Sequence, residues 1–316
     1  MLKLLSLASL IGSLCVPAIA QNTPPAVSNT QPPARRVPFV TQPCTGDIPP
    51  GLYATDPDVR LVTKPTLTVM FHGNRFVAAA DLADAFEKAN PGQLVAYTAV
   101  PPAFTIPTIE SFQITVADVP TPFVPDVVLG NAAMGDALRA MPGDRFKVSQ
   151  GVLYSRVHGL VLMARAGDPK FSGLQPAKVL NDPSVSIVIP RGQVDTHPLS
   201  LAVYAAVLDF NASAPTQNPR LHAAETRHHR SIPARILASC EDVGFQYVQS
   251  QRYLEKAFPG RFAFLPYAIT LEAAKSEESY AYVLTGSPRR AAADKFAAFL
   301  TSPTAVEILR SHRLEP

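Results

Sequence analysis

The sequence lacks the features that mark membrane-embedded and nucleic-acid-binding proteins. After residue 20, no stretch approaches the roughly 18 consecutive apolar residues that a membrane-spanning helix requires. Charged residues make up only 17% of the chain and leave a net charge of +3, with no basic stripe interleaved with aromatic residues. We therefore expect a protein that does not span a membrane and has no nucleic-acid partner.

Common catalytic motifs are also missing. The sequence contains no Gly-x-Ser-x-Gly nucleophile elbow, no glycine-rich phosphate loop and no His-Glu-x-x-His pair. Its three cysteines have none of the paired spacings that are typical of zinc sites. These absences predict a protein that is not an enzyme and that carries no cofactor.

The first twenty residues have the pattern of a secretory signal. Lys3 provides a charged start, and the apolar run at 4–16 is too short to span a bilayer. Ala18 and Ala20 supply the small side chains that signal peptidase needs before Gln21. The pattern predicts cleavage after Ala20 and a periplasmic or secreted mature protein.

Removal of this signal leaves two cysteines, Cys44 and Cys240. An oxidising compartment allows two exported cysteines to pair, so a disulfide between them is one interpretation. Cys240 lies in an apolar, helical context, so a buried free thiol is the other interpretation.

A composition change divides the mature chain. Residues 21–60 contain nine prolines and many threonine, glutamine and asparagine residues without any periodicity, which predicts an extended leader with no ligand role. The remaining chain is long for a single core, and its length suits two lobes.

From residue 67 onward, short apolar runs alternate with helical patterns. An apolar run at 67–71 is followed by a polar loop at 72–75 and by a helix over about 76–90. A second unit has a strand at 125–129 and a helix at 134–141. Later segments predict strands at 94–100, 154–165, 185–189, 243–248 and 262–266, and helices at about 200–210, 235–240, 288–301 and 303–311. The repeated order predicts an α/β fold with mostly parallel sheets flanked by helices.

Ordered over residues 67–316, these segments resemble the periplasmic solute-binding proteins of the molybdate-binding type. The similarity lies in the strand, loop and helix at 67–92, in Pro-Asp-Val-Val-Leu-Gly-Asn at 125–131, and in the segments at 159–170 and 287–316. The segment His-His-Arg-Ser-Ile-Pro-Ala-Arg at 228–235, followed by Asp-Val-Gly, is similar to the His-His-Arg-Glu-x-Pro-x-Arg segment of one subgroup of these proteins, although the subgroup's Glu is Ser231 here.

The resemblance implies a type II periplasmic-binding fold, with a ligand cleft between two lobes. Residues 61–160 together with 262–316 would form lobe 1, and residues 161–261 would form lobe 2. It also implies a monomeric receptor that captures a small anion, either a molybdate-like oxoanion or an organic acid, for an inner-membrane ABC permease. The serines that molybdate binders place in their first two loops are absent here, so the identity of the ligand does not transfer.

Candidate ligand-binding residues lie in the loops that follow the predicted strands. Loops at the carboxyl ends of parallel strands face the cleft, where helix N-termini offer free N–H groups to an anion. The segments at 72–76, 130–133, 195–199 and 228–232 qualify, and four of the seven histidines lie in them. The predicted ligand-binding residues are His72, Gly73, Asn74, Arg75, Gly130, Asn131, His197, His228, Arg230 and Tyr247.

Two kinds of ligand suit this set. Asn74, Arg75 and Arg230 are suited to hold an anion, and the Tyr247 hydroxyl could donate to it. The histidines of the set, together with Tyr247, also suit zinc, ferric iron or a metal chelate, so a metal receptor is an alternative. A sensory or structural protein that keeps the fold without transport is a third. Each side chain could instead only satisfy backbone groups or fill the core.

Overall fold

The computed structural model describes residues 58–100, 102–116, 119–156, 159–171, 175–188, 232–267 and 278–316. These residues all belong to one unit of the chain, Pro38–Pro316. The predicted signal, Cys44, and the loop and helix expected at 195–210 lie outside the described residues.

The larger sheet has six strands, in the order β1-β3-β2-β6-β12-β7. Its strands are β1 (Asp58–Arg60), β2 (Leu67–His72), β3 (Val95–Val100), β6 (Val127–Gly130), β7 (Val152–Ser155) and β12 (Ser279–Val283). β2 pairs in parallel with both β3 and β6, whereas β1, β12 and β7 pair antiparallel to their neighbours.

The smaller sheet has four strands, in the order β11-β8-β10-β9. Its strands are β8 (Leu160–Arg165), β9 (Ile187–Val188), β10 (Val243–Tyr247) and β11 (Phe262–Tyr267). Only β9 and β10 pair in parallel. A separate antiparallel hairpin joins β4 (Gln113–Val116) to β5 (Val119–Pro122).

Helices flank both sheets. They are α1 (Phe76–Ala89), α2 (Pro102–Ser111), α3 (Ala132–Ala140), α4 (Pro176–Asn181), α5 (Ile232–Leu237), α6 (Val248–Ala257), α7 (Arg290–Phe299) and α8 (Pro303–Ser311). On α1, the buried side chains recur at helical spacing and end at Phe86, whose ring packs edge-on against Phe296 of α7 at 5.1 Å. Ser302 caps α8 by accepting from the backbone N–H of Ala305. None of the described helices is long and apolar enough to span a membrane.

One hydrophobic core extends across both sheets. It includes Leu67 and Phe71 of β2, Leu160 and Leu162 of β8, and Phe245 of β10, all of them fully buried. The region where the two sheets meet is therefore packed, and side chains at that junction are held in defined positions.

The predicted α/β fold, with sheets flanked by helices, is confirmed, and so are the strands and helices expected at 67–100 and 303–311. The expectation of mostly parallel sheets is wrong for the part of the chain that the structure describes, because only three of its nine strand pairings are parallel. The alternation of strand and helix is local, whereas strand direction depends on which distant segments pair.

The prediction of one long strand at 154–165 is also wrong. It is two strands in two different sheets, β7 and β8, with Arg156 leaving the first sheet to form a bridge with Glu315 near the end of the chain. Both strands are apolar, so hydrophobicity alone does not reveal the break between them.

Two expected boundaries need correction as well. The leader was expected to run to residue 60, but Asp58–Arg60 already pairs with β3. Residues from 262 onward were expected in lobe 1, but Phe262–Tyr267 pairs with β8 in the smaller sheet. The division into lobes itself stays a prediction.

Cys240 forms a disulfide bond, so the interpretation as a buried free thiol is wrong. Its expected partner, Cys44, lies outside the described residues.

Candidate functional site

Four strands of the larger sheet bring their ends to one edge. β2 ends at His72 and β6 ends at Gly130, and the parallel register places these two ends at the same level. β12 begins at this level because Tyr280 pairs with Gly130, and Ser279 pairs in turn with Ser155 at the end of β7. We call this end of the sheet, where the ends of β2, β6, β12 and β7 lie at one level, the upper edge of the larger sheet.

Arg75 supplies a buried positive charge beside this edge. It lies in the 3-10 turn Gly73–Arg75 that connects β2 to α1, and its side chain is only 2% exposed. Burying a charge is costly unless the surrounding groups compensate for it. A guanidinium buried at the ends of strands therefore indicates a place where negative charge can be stabilised.

Tyr154 of β7 lies close to this charge. Burial raises the pKa of its hydroxyl to about 12, although Arg75 and the side chain of Ser279 act in the opposite direction. At neutral pH the phenol is therefore protonated and can act as a hydrogen-bond donor. Arg75, Tyr154 and Ser279 come from three separate segments and meet at the upper edge.

A β-bulge orients Tyr154. Ser279 pairs with Ser155 and Tyr280 pairs with Leu153, so the strand register shifts and Tyr154 is left as the extra residue on β7. Bulges of this kind are common beside binding sites, where they redirect a side chain that regular pleating would place elsewhere.

Ser155 adds a buried hydroxyl to the same edge. It is fully buried, and within the described part of the chain its Oγ has no hydrogen-bond partner. Leaving a buried hydroxyl unsatisfied costs about 1–3 kcal/mol, so Ser155 is a candidate ligand contact.

Gly130 and Asn131, in the second predicted ligand loop, have structural roles. A side chain at Gly130 would place its Cβ 2.7 Å from Cβ of Met134, so the close approach of α3 requires glycine there. Asn131 caps α3, since its Oδ1 accepts from the backbone N–H of Met134 at 3.0 Å. The Tyr282 hydroxyl donates to the backbone carbonyl of Asn131 at 3.1 Å. Contact of Gly130 and Asn131 with a ligand stays a prediction.

The remaining predicted residues are divided between the two sheets. His72, at the end of β2, is buried at the upper edge, and Gly73 and Asn74 share the turn with Arg75. Tyr247 ends β10 of the smaller sheet, where it is buried and paired in register with Leu160. His197, His228 and Arg230 lie outside the described residues.

Two contacts lie near the junction of the two sheets. The ring of Phe76, at the start of α1, packs edge-on against Tyr253 of α6 at 4.9 Å. Arg156 and Glu278 lie on the two segments that run between the sheets, and they form an ion pair at 3.2 Å. The Tyr280 hydroxyl donates to the same carboxylate at 2.6 Å.

Sequence reasoning missed Tyr154, Ser155 and Ser279. The first two were assigned to the start of one long strand, 154–165, and the strand at 279–283 was not recognised. A usable signal existed, because Ser-Tyr-Ala-Tyr-Val has the aromatic and β-branched alternation that favours a strand. A metal centre has no comparable support, since no three His, Cys, Asp or Glu side chains are grouped suitably among the residues that the structure describes.

Comparisons with solved structures identify the same fold. The Azotobacter vinelandii periplasmic molybdate-binding protein has a TM-score of 0.54 at 17% identity, covering 79% of this chain and 99% of its own. The sulfate-binding protein of Mycobacterium tuberculosis has a TM-score of 0.53 at 16% identity, and the match covers 79% of this chain and 86% of that protein. A tungstate-binding protein of Desulfovibrio alaskensis has a TM-score of 0.50 at 17% identity, and the match covers 78% of this chain and 93% of that protein.

No curated protein matches the chain by sequence. The family model for bacterial extracellular solute-binding proteins, however, matches residues 67–313. That span contains both sheets from β2 onward and every part of the upper edge. The description of this family is that of solute-binding proteins. The chain therefore belongs to the bacterial extracellular solute-binding proteins.

Proposed function

We propose that this protein is an extracytoplasmic receptor that binds a small oxoanion at the upper edge of the larger sheet and delivers it to an ABC permease. The observation that carries the proposal is the buried guanidinium of Arg75 beside Tyr154 and Ser279. Solved structures with this fold include proteins named for molybdate, sulfate and tungstate, which supports the same class of ligand.

The chemistry of the upper edge favours an anion. Arg75 provides a permanent positive charge with several donors, and Tyr154, Ser155 and Ser279 provide hydroxyl groups. Glu278 is the carboxylate beside Ser279, and Arg156 and Tyr280 already engage it. Since this negative charge is neutralised locally, it does not repel an anion that approaches Arg75.

Low solvent exposure strengthens such an interaction. A charge-assisted hydrogen bond is roughly twice as strong as a neutral one, and it gains further where water is excluded. Arg75, Tyr154 and Ser155 are all buried. The ligand would thus exchange its hydration shell for donors that are already held in place, which lowers the ordering cost of binding.

Release to a permease requires that the site open. Two segments, one containing Arg156 and one containing Glu278, run between the larger and smaller sheets. We propose that these segments are the hinge, that the smaller sheet with β11 moves as lobe 2, and that the receptor acts as a monomer. Closure would bring the end of β10 at Tyr247 towards the ligand.

Thermal shift followed by calorimetry tests this function. The chain from Gln21 onward would be titrated with molybdate, tungstate, sulfate, phosphate and a small organic acid, each with and without EDTA. One oxoanion should stabilise the fold by about 2.7 kcal/mol at a hundred times its Kd, which is a rise in Tm of roughly 4 °C for a chain of this size.

Two outcomes would contradict the proposal. The first is the absence of binding by every oxoanion in the panel. The second is binding that requires a divalent or ferric ion and disappears with EDTA, which would favour a metal or metal-chelate receptor.

A further inference from the structure

A pocket that shares no lining residue with the upper edge lies beside the segments that run between the two sheets. Its volume is about 430 Å³, and it is lined by Gly159, Val248, Arg310, Arg313, Leu314 and Glu315. This volume is within the range of sites that hold organic small molecules. The pocket lies where the segment after α8 meets the beginnings of β8 and α6.

The walls of this pocket are held by backbone hydrogen bonds. Val248 N–H donates to the carbonyl of Gly159 at 3.2 Å, and a side chain at Gly159 would approach Cγ2 of Val248 to 2.5 Å. Leu314 is fully buried, and its N–H donates to Leu309. Glu315 exchanges two backbone hydrogen bonds with Arg156. The cavity is therefore preformed, and filling it requires little reorganisation.

Positive charge dominates the lining. Arg310 occupies the last turn of α8, and Arg313 follows it in the left-handed region at φ 56°. Across the segments that the structure describes, Arg310 is exposed and its side chain has no hydrogen-bond or ion-pair partner. Within the described segments, the side chain of Arg313 donates one long hydrogen bond, of 3.4 Å, to Oε1 of Gln251. The residues that line the pocket thus include two arginines and one acidic residue, Glu315.

We propose that this pocket is a second anion site and that it binds a small organic acid, with a carboxylate held between Arg310 and Arg313. A guanidinium presents paired N–H groups that match the two oxygens of a carboxylate. The volume leaves room for the carbon skeleton as well as for the charged group. No lining residue is common to this pocket and the upper edge, so binding at the pocket can be tested separately from the oxoanion function proposed above.

Calorimetry with citrate and succinate as probes tests this site on the chain from Gln21 onward. At least one acid should bind, and replacing both arginines (Arg310→Gln with Arg313→Gln) should weaken its affinity at least ten-fold. Arg139→Gln is the matched control, because Arg139 is an exposed arginine that lies on α3 and not in the pocket. This control should bind the acid like the parent protein.

Further variants separate this site from the oxoanion site. Arg310→Lys keeps the charge and loses the paired donors, so it should bind the acid with an intermediate affinity. Arg75→Gln should leave acid binding unchanged even where oxoanion binding is lost. The inference is overturned if neither acid binds, if the double variant binds the acid normally, or if Arg75→Gln removes acid binding. Circular dichroism establishes that each variant is folded.

Discussion

Arg75 and Tyr154 belong to segments three strands apart in the larger sheet, yet the guanidinium acts electrostatically on the phenol hydroxyl. Neighbouring strands are about 4.8 Å apart, so β2 and β7 are separated by roughly 14 Å. The length of the two side chains and the bulge at Tyr154 shorten that separation. A donor site is therefore assembled along the upper edge from segments that are far apart in the chain.

Replacing Arg75 tests the centre of the proposed oxoanion site. Arg75→Gln removes the buried charge, and it should cost about 2–4 kcal/mol of binding free energy. Arg75→Lys should recover part of this loss, because it restores the charge but not the paired donors. Calorimetry measures both variants, with Arg139→Gln as a control that should bind like the parent. Oxoanion affinity that is equal in all four proteins would show that the ligand binds elsewhere.

The raised pKa of Tyr154 predicts that the protein loses stability at high pH. Its pKa is about 12 in the folded state and near 10 in the unfolded chain. The protonated phenol therefore stabilises the fold fully below pH 10, and this contribution is lost as the pH rises from 10 to 12. A shift of this size corresponds to about 2–3 kcal/mol.

Chemical denaturation between pH 8 and pH 12 measures this dependence. Tyr154→Phe should show a shallower fall in the free energy of unfolding than the parent protein. Some fall should remain, because burial also raises the pKa of Tyr282 to about 12. Identical pH profiles for the variant and the parent would contradict the assignment to Tyr154.

Hinge closure should be visible in solution. If the two sheets move together on binding, small-angle scattering should show a smaller radius of gyration once the oxoanion saturates the protein. Arg75→Gln at the same oxoanion concentration provides the control, and it should keep the radius of the unliganded protein. A radius that does not change at saturation would argue for a rigid receptor.

The Arg235–Glu241 ion pair predicts where the smaller sheet is most sensitive to mutation. Both side chains are buried, and Nε of Arg235 donates to Oε2 of Glu241 at 2.8 Å. Glu241→Gln leaves a buried cation poorly compensated, so it should cost about 3–5 kcal/mol and lower the Tm by roughly 5–8 °C.

A matched control exists for this pair. Asp294→Asn breaks the exposed pair between Arg290 and Asp294 on α7, and it should cost at most about 0.5 kcal/mol. Scanning calorimetry compares the two variants. Equal effects on Tm would show that burial does not determine the importance of the Arg235–Glu241 pair.

The signal pattern of the first twenty residues predicts where the mature protein begins. Mass spectrometry of the exported protein should find Gln21 as its first residue, because the small-x-small pattern ends at Ala20. Replacing Ala20 with a bulky residue should slow or abolish this cleavage. An exported protein that retains Met1 would show that the segment is not a cleaved signal.

The sequence by itself determined the local elements and the family. The apolar spacing before Asn90, the strand at 67–71 and the helix at 303–311 were all recognisable. Each of these depends on residues a few positions apart, because side-chain periodicity and capping act within one or two turns. The order of the segments was sufficient for the resemblance to solute-binding proteins, and the family match confirms it.

Only the tertiary structure decided which segments meet. The pairing of Ser155 with Ser279, the bulge that redirects Tyr154 and the place of Phe262–Tyr267 in the smaller sheet depend on contacts between distant parts of the chain. An apolar run carries no information about which partner strand it joins or in which direction. The predicted loops therefore included Arg75 but not the hydroxyl groups beside it, because those come from strands whose pairing the sequence pattern does not specify.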